Sequence, residues 1–285
     1  MIDRRGFLTT VAGLGAVAAG GTLLGCAHVS NEKQRVFDAH CHIIDPRFPL
    51  VPNQGYVPPH YTIPQYRADV ASLNVAAGAV VSGSFQGFDQ TYLVSTLKQL
   101  GPDWVGVAQV PSDISDAEIR HLRGAGVRAV RFNLYRGKVD SMSEVVTFAQ
   151  RVYDIAGWHA ELYLDAAKMR SHLPQLAKLP QIVIDHLGMT EEGVPVLLDL
   201  VDAGAKIKAT GFGRVSMNVP MALERIAQRN PNALMFGTDL PSTRAKRPFH
   251  STDLDLVRRV LGKENARKAL WDNAYELYRP GTRLA

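Results

Sequence analysis

Downstream of residue 35 the chain alternates two hydrophobic rhythms. Short apolar runs rich in β-branched residues occur at Val36–Ala39, Gly78–Ser82, Trp104–Ala108, Val127–Phe132, His159–Leu164, Ile182–Asp185, Ala205–Ala209 and Leu234–Gly237. Runs of that length bounded by polar segments predict strands. Between them apolar positions recur at helical spacing, and two such stretches, Ser115–Gly124 and Ser141–Ala156, open with Ser-x-x-Glu. That tetrad marks a helix start, because the Ser oxygen accepts from an otherwise orphaned N–H while the Glu reaches back to the cap. Strands separated by helical crossovers form a parallel sheet, and eight of them in about 250 residues predict a closed (β/α)8 TIM barrel of class α/β. A doubly wound open sheet fits the same alternation and is the competing architecture.

The barrel makes a demand of its own: chemistry collects at the C-terminal ends of its strands. The first strand ends in His40 and His42, which share one face of an extended chain while Cys41 takes the other. The second strand ends in Ser82, Ser84 and Gln86, the fourth in Arg131, Asn133 and Arg136, the fifth in Tyr163 and Asp165. The sixth ends in His186, the seventh in Lys208 and Arg214, and the eighth in Asp239. Two imidazoles aimed at one point can ligate a metal or donate hydrogen bonds to an oxyanion, and an ionised carboxylate beside them can take a proton from water. Strand parity places Asp185 on the helix side of the sheet and turns Arg128 away from Arg131. The stretch Pro46–Pro64 holds six prolines and is too long for a turn, so it is expected to cross the barrel mouth, with Tyr56, His60 and Tyr61 as lid side chains.

The first 35 residues break the rhythm. Arg4-Arg5 precede Phe7-Leu8 and a Gly/Ala-rich apolar stretch that ends in Leu23-Leu24-Gly25-Cys26. The double arginine resembles a twin-arginine export signal and the ending a lipoprotein box, with Cys26 the lipidated residue; an uncleaved membrane anchor is the alternative. The expected organisation is a signal peptide over 1–25, a linker over 26–35 and the barrel over 36–280. The expected partners of the leader are the twin-arginine machinery and, through lipid on Cys26, the membrane, which places the barrel on the periplasmic side. Cys26 and Cys41 are the only cysteines, so a lipidated Cys26 leaves no intramolecular disulfide.

Composition narrows the partners. Hydrophobic residues make up 46% and charged residues 21%, the balance of a globular chain with a large core. The net charge is +5, of which Asp3, Arg4 and Arg5 supply +1, and no basic stripe with interleaved aromatics tracks a nucleic-acid backbone.

An HxH on the first strand, "VIDHLG" on the sixth and "FGTDLP" on the eighth, in that order, resemble the amidohydrolase superfamily. With "SDAEIRHLRGAGVRAVRFN" and "GWHAELYLDA", they are most similar to its 2-pyrone-4,6-dicarboxylate lactonase branch, over Val36 to Pro280. The resemblance implies a hydrolase that opens a carboxylate-bearing lactone. Asp239 is then the general base, His40, His42 and His186 polarise the carbonyl, and Tyr163 stands near the oxyanion. Arg131 and Arg214 hold the substrate carboxylate, with Ser84, Tyr56 and Arg136 completing the substrate-binding set. Two-metal members of the superfamily carry a bridging Lys or Glu after strand four and a His after strand five, where this chain has Arg131 or Asn133 and Tyr163. The resemblance therefore implies no cofactor, with one zinc on His40, His42, His186 and Asp239 as the alternative. Arg136 falls one position early, and Leu240 and Ser242 replace the branch's Trp and His. Those departures leave specificity open, and leave a non-catalytic binding lipoprotein as a third reading.

Overall fold

A computed structural model describes residues 34–136, 141–279 and 281. The expected signal segment and Cys26 lie outside them. Eight strands, β1 (Val36–Cys41), β2 (Val75–Val81), β3 (Trp104–Ala108), β4 (Val127–Asn133), β5 (His159–Tyr163), β6 (Ile182–Ile184), β7 (Lys206–Ala209) and β8 (Leu234–Phe236), pair in chain order and all in parallel. The ring is joined across its last seam by Asp239 N–H donating to His40 O at 2.7 Å and His42 N–H donating to Leu240 O at 2.8 Å. Gly237 permits that approach: a Cβ there would stand 2.7 Å from His40 N. The helices around the barrel include α1 (Ile63–Asp69), α2 (Thr91–Leu100), α3 (Asp116–Gly124) and α4 (Met142–Ala156) in the first half. The closed barrel, not the open sheet, is the architecture.

Both predicted helix starts form. Ser115 accepts from the Glu118 N–H at 3.2 Å and Ser141 from the Glu144 N–H at the same distance. Each bond satisfies one of the four N–H groups a helix leaves open at its start, worth about 1 kcal/mol.

The barrel interior is packed. Phe37, Ala39, Ala79, Val107, Val183 and Met235 belong to one buried cluster, floored by Tyr278, whose ring stacks on Phe37 at 5.5 Å. One irregularity in β1 turns this packed barrel into a site. Asp38 pairs with Gly78 and Cys41 with Val80, three residues of β1 spanning two of β2. This bulge reverses the side-chain alternation. Phe37 and Ala39 fill the interior below it, while His40 and His42 reach the same interior above it. Cys41 points the opposite way into the packing between sheet and helices, as the alternation predicts.

Candidate active site

The reactive groups meet at the C-terminal rim. Asp239 is fully buried, and its Oδ1 lies 3.8 Å from His40 Nε2 and 3.7 Å from His42 Nε2. The His40 ring centre is 5.1 Å from that of His42 and 4.8 Å from that of His186. Tyr163 closes the side, its ring edge-on to His186 at 5.2 Å. His186 and Asp239 both hold a left-handed backbone, with φ of 50° and 59°. Such conformations cost about 1–3 kcal/mol each and persist where surrounding structure holds them. Gly211 makes the His186 placement possible: a Cβ there would stand 2.6 Å from Nδ1, and its own φ is +65°.

Asp239 stays ionised. Burial alone would raise its pKa, but the Arg214 guanidinium beside it holds it far below the ordinary carboxylate range. Arg214 donates from Nε to Asp239 Oδ2 at 2.8 Å and from Nη2 to the same oxygen, so Oδ1 is the free acceptor. His186 is pushed down to about 3 and His40 well below its ordinary value, in both cases chiefly because burial disfavours the imidazolium. Both rings are therefore neutral at physiological pH.

His42 corrects one expectation. Its Nδ1 lies 2.7 Å from Val81 O, and a carbonyl only accepts, so the proton sits on Nδ1. With that proton on Nδ1, Nε2 is the atom turned toward Asp239, as an acceptor and not as a donor to a carbonyl oxygen.

Asp185 is a second correction. It does not face the helices: it is wholly buried inside the barrel, accepts from Arg131 Nε at 2.9 Å and lies 3.3 Å from His40 Nδ1. β6 ends at Ile184, and Val183 faces inward, so Asp185 shares its parity; His186 enters the site through the left-handed turn that follows. Glu161 and Lys208 complete a buried ionic cluster whose partners were not apparent in the sequence. Lys208 Nζ donates to Glu161 Oε2 at 2.5 Å and lies 3.5 Å from Asp185 Oδ1. The signal was a charged residue inside each apolar strand run, Glu161 in "HAELY" and Lys208 in "KIKA".

The arginines ring a cavity of about 40 Å³ walled by Ser84, Arg131, Arg136, Tyr163, His186 and Arg214, with no carboxylate among the described residues that line it. Arg244, not anticipated, joins the wall, lies over the Tyr56 ring at 4.4 Å and donates to Asn53 O. Tyr56 therefore braces the mouth from the Pro-rich segment. His60 is exposed, and Tyr61 is turned away, its hydroxyl donating to Asp69 at 2.7 Å; neither is a lid side chain. Arg128 points away from Arg131 as parity requires, toward Arg123 O. A larger cavity of about 400 Å³ opens at the opposite, N-terminal end of the barrel beside His159 and Tyr278, remote from this chemistry.

His40, Asp185 and His186, and likewise His40, His42 and Asp239, each bring ligand atoms within 4.8 Å of one another, near enough to share an ion. The charges do not fit a divalent one. Glu161, Asp185 and Asp239 are already matched by Lys208, Arg131 and Arg214, three anions against three cations, and the paired arginines sit on the carboxylates an ion would need.

A parallel barrel whose first, sixth and eighth strands deliver two histidines, a histidine and an aspartate to one rim is the architecture of an amidohydrolase. The family profile described as amidohydrolase matches residues 37–279; the chain belongs to that family and is a hydrolase. It is 30% identical over 274 residues to the 2-pyrone-4,6-dicarboxylate hydrolase of Comamonas testosteroni, covering 85% of this chain and 90% of that protein. It is 27% identical over 272 residues to the 4-sulfomuconolactone hydrolase of Rhizobium radiobacter, covering 85% and 89%. A crystal structure of a ligand-free Agrobacterium tumefaciens protein shares the fold, with a TM-score of 0.75 and 22% identity over 86% of this chain and 95% of that one.

Proposed function

We propose that this hydrolase opens a lactone bearing at least one carboxylate, by direct attack of water and without a metal. The observation that carries the reading is an ionised Asp239, bonded to Arg214 and close to His42 and His186, three residues that wall a cavity rich in arginines and with no acid among its described lining residues. Water held between Asp239 Oδ1 and His42 Nε2 donates one proton to each acceptor. As its oxygen attacks the acyl carbon, Oδ1 takes the proton. The carbonyl electrons move onto oxygen, where the rings of His40 and His186 and the Tyr163 hydroxyl supply donors. The acyl–oxygen ring bond then breaks, and the departing oxygen recovers the proton from Asp239. Arg136 and Arg244 form no ion pair with a carboxylate among the described residues, and a guanidinium fork suits a substrate carboxylate. The names of the two curated relatives, both hydrolases of cyclic anionic compounds, support the same substrate class.

Mono- and dicarboxylated lactones offered to protein prepared with and without chelator test this. Opening of anionic lactones that chelation leaves intact is the expected result. Loss of activity on chelation, with recovery on adding zinc, contradicts the metal-free mechanism. Tight binding without turnover across the panel contradicts the enzymatic one.

The export reading belongs to the proposal as well, resting on Arg4-Arg5 and Cys26. Cell fractionation should find the wild type in the envelope and the Arg4→Lys, Arg5→Lys variant in the cytosol. A cytosolic wild type contradicts it.

A further inference from the structure

Lys208 is the buried cation to which the reaction above assigns no task. Its side chain has no exposure, and a buried ammonium is kept only where partners take its protons. One proton goes to Glu161 Oε2 at 2.5 Å, and Asp185 Oδ1 lies 3.5 Å away. The third direction ends on the catalytic ring: Nζ is 3.3 Å from His40 Nδ1. An ammonium carries donors and no lone pair. The contact therefore requires that Nδ1 present its own lone pair, which leaves the ring proton on Nε2. Asp185 Oδ1 lies at the same 3.3 Å from Nδ1 and competes for it in favour of the opposite tautomer, but of the two only Nζ meets the ring nitrogen within hydrogen-bonding geometry. Nε2 faces the site, 3.8 Å from Asp239 Oδ1, with no hydrogen-bond partner of its own.

We propose that Lys208 is a positioning residue that fixes His40 as its Nε2–H tautomer, making the ring a donor to the substrate carbonyl and disqualifying it as a metal ligand. The inference deepens the metal-free lactone-opening reading and rests on it. A histidine that binds zinc needs the reverse arrangement, a lone pair toward the ion and its other N–H on a carboxylate or carbonyl. His42 already has that form through Val81 O, and Asp185 stands where it would impose it on His40. Lys208 is what prevents it. Lys208 thus withholds the His40 lone pair from the cluster, beside the Asp185 and Asp239 carboxylates that Arg131 and Arg214 already hold.

The test uses the full chain and two readouts that do not depend on catalysis. Nitrogen-15 NMR of histidine-labelled protein, with the His40 signals assigned by their loss in His40→Gln, reports which ring nitrogen carries the proton. The wild type should show Nε2–H. The variant Glu161→Gln/Lys208→Met removes one charge of each sign, so the cluster stays matched while Asp185 becomes free to take the Nδ1 proton. It should show Nδ1–H and retain measurably more zinc than the wild type after incubation and gel filtration. Nδ1–H in the wild type, or stoichiometric zinc retained equally by wild type and variant, overturns the proposal. If the variant does not fold, the wild-type spectrum alone decides. A wild type with Nε2–H that opens no lactone refutes the functional reading and leaves the tautomer assignment standing; a lactone-opening wild type with Nδ1–H does the reverse.

Discussion

The two sides of the barrel interior solve the same burial problem by opposite means. On β2 and β3 the inward positions are Ala77, Ala79, Val81, Val105 and Val107, which need nothing but close contact. On β5 to β8 and just beyond them they include Glu161, Asp185, Lys208 and Asp239, all without exposure. The apolar side gains from leaving water at about 25 cal/mol per Å². The ionic side loses solvation and recovers it only because each carboxylate has a cation: Glu161 with Lys208, Asp185 with Arg131, Asp239 with Arg214. Stability is therefore robust on one side and conditional on the other, and the conditional side is where the histidines stand.

The sharpest way to break the contrast is to remove one partner from the ionic side. Lys208→Met leaves Glu161 buried without a counter-charge and should cost about 4 kcal/mol of unfolding free energy in urea denaturation. The Glu161→Gln/Lys208→Met variant should recover most of that loss. Equal destabilisation by the single and double variants would contradict a penalty from an unmatched Glu161. His186→Ala removes a donor at the carbonyl and should lower kcat about 100-fold with KM little changed. On the apolar side, Val107→Ala should cost about 2 kcal/mol of stability through its cavity and leave kcat within about twofold. A loss of kcat larger than the loss of stability explains would mean that the two sides are not separable.

Acid sharpens the comparison with a smaller, graded effect. His186 is neutral in the folded protein down to about 3, whereas the unfolded chain takes the proton near the ordinary value of 6.5. Its contribution is therefore complete above pH 6.5 and is lost as pH falls toward 3, with about 2 kcal/mol gone by pH 5. Asp185 and Asp239, held below the ordinary 3.8, lose theirs only under more acidic conditions. Urea midpoints for the wild type should fall between pH 7 and pH 5, and those of His186→Ala should fall less. Parallel declines would contradict the assignment.

Much of the barrel was legible because each strand is a short apolar run and two helix starts, at Ser115 and Ser141, carry their own caps. The strand-end rule also found His40, His42, His186, Tyr163 and Asp239. What escaped depends on departures from regular geometry. The β1 bulge admits both Ala39 and His40 to the interior, and the early end of β6 lets neighbours Asp185 and His186 both enter, which strict alternation forbids. Partners separated by 47 residues, as Lys208 and Glu161 are, leave no local pattern to read. Arg244 was hidden for the same reason, since its anchors Asn53 and Tyr56 lie on the loop after β1.

The measurement closest to the central claim is single-turnover ring opening of a carboxylated lactone by metal-stripped wild type and by Asp239→Asn. The account predicts full activity in the stripped wild type and a loss of about 10³-fold in the variant, the contribution of a lost general base. A stripped wild type that is inactive until zinc is added, or an Asp239→Asn variant as fast as its parent, would contradict it.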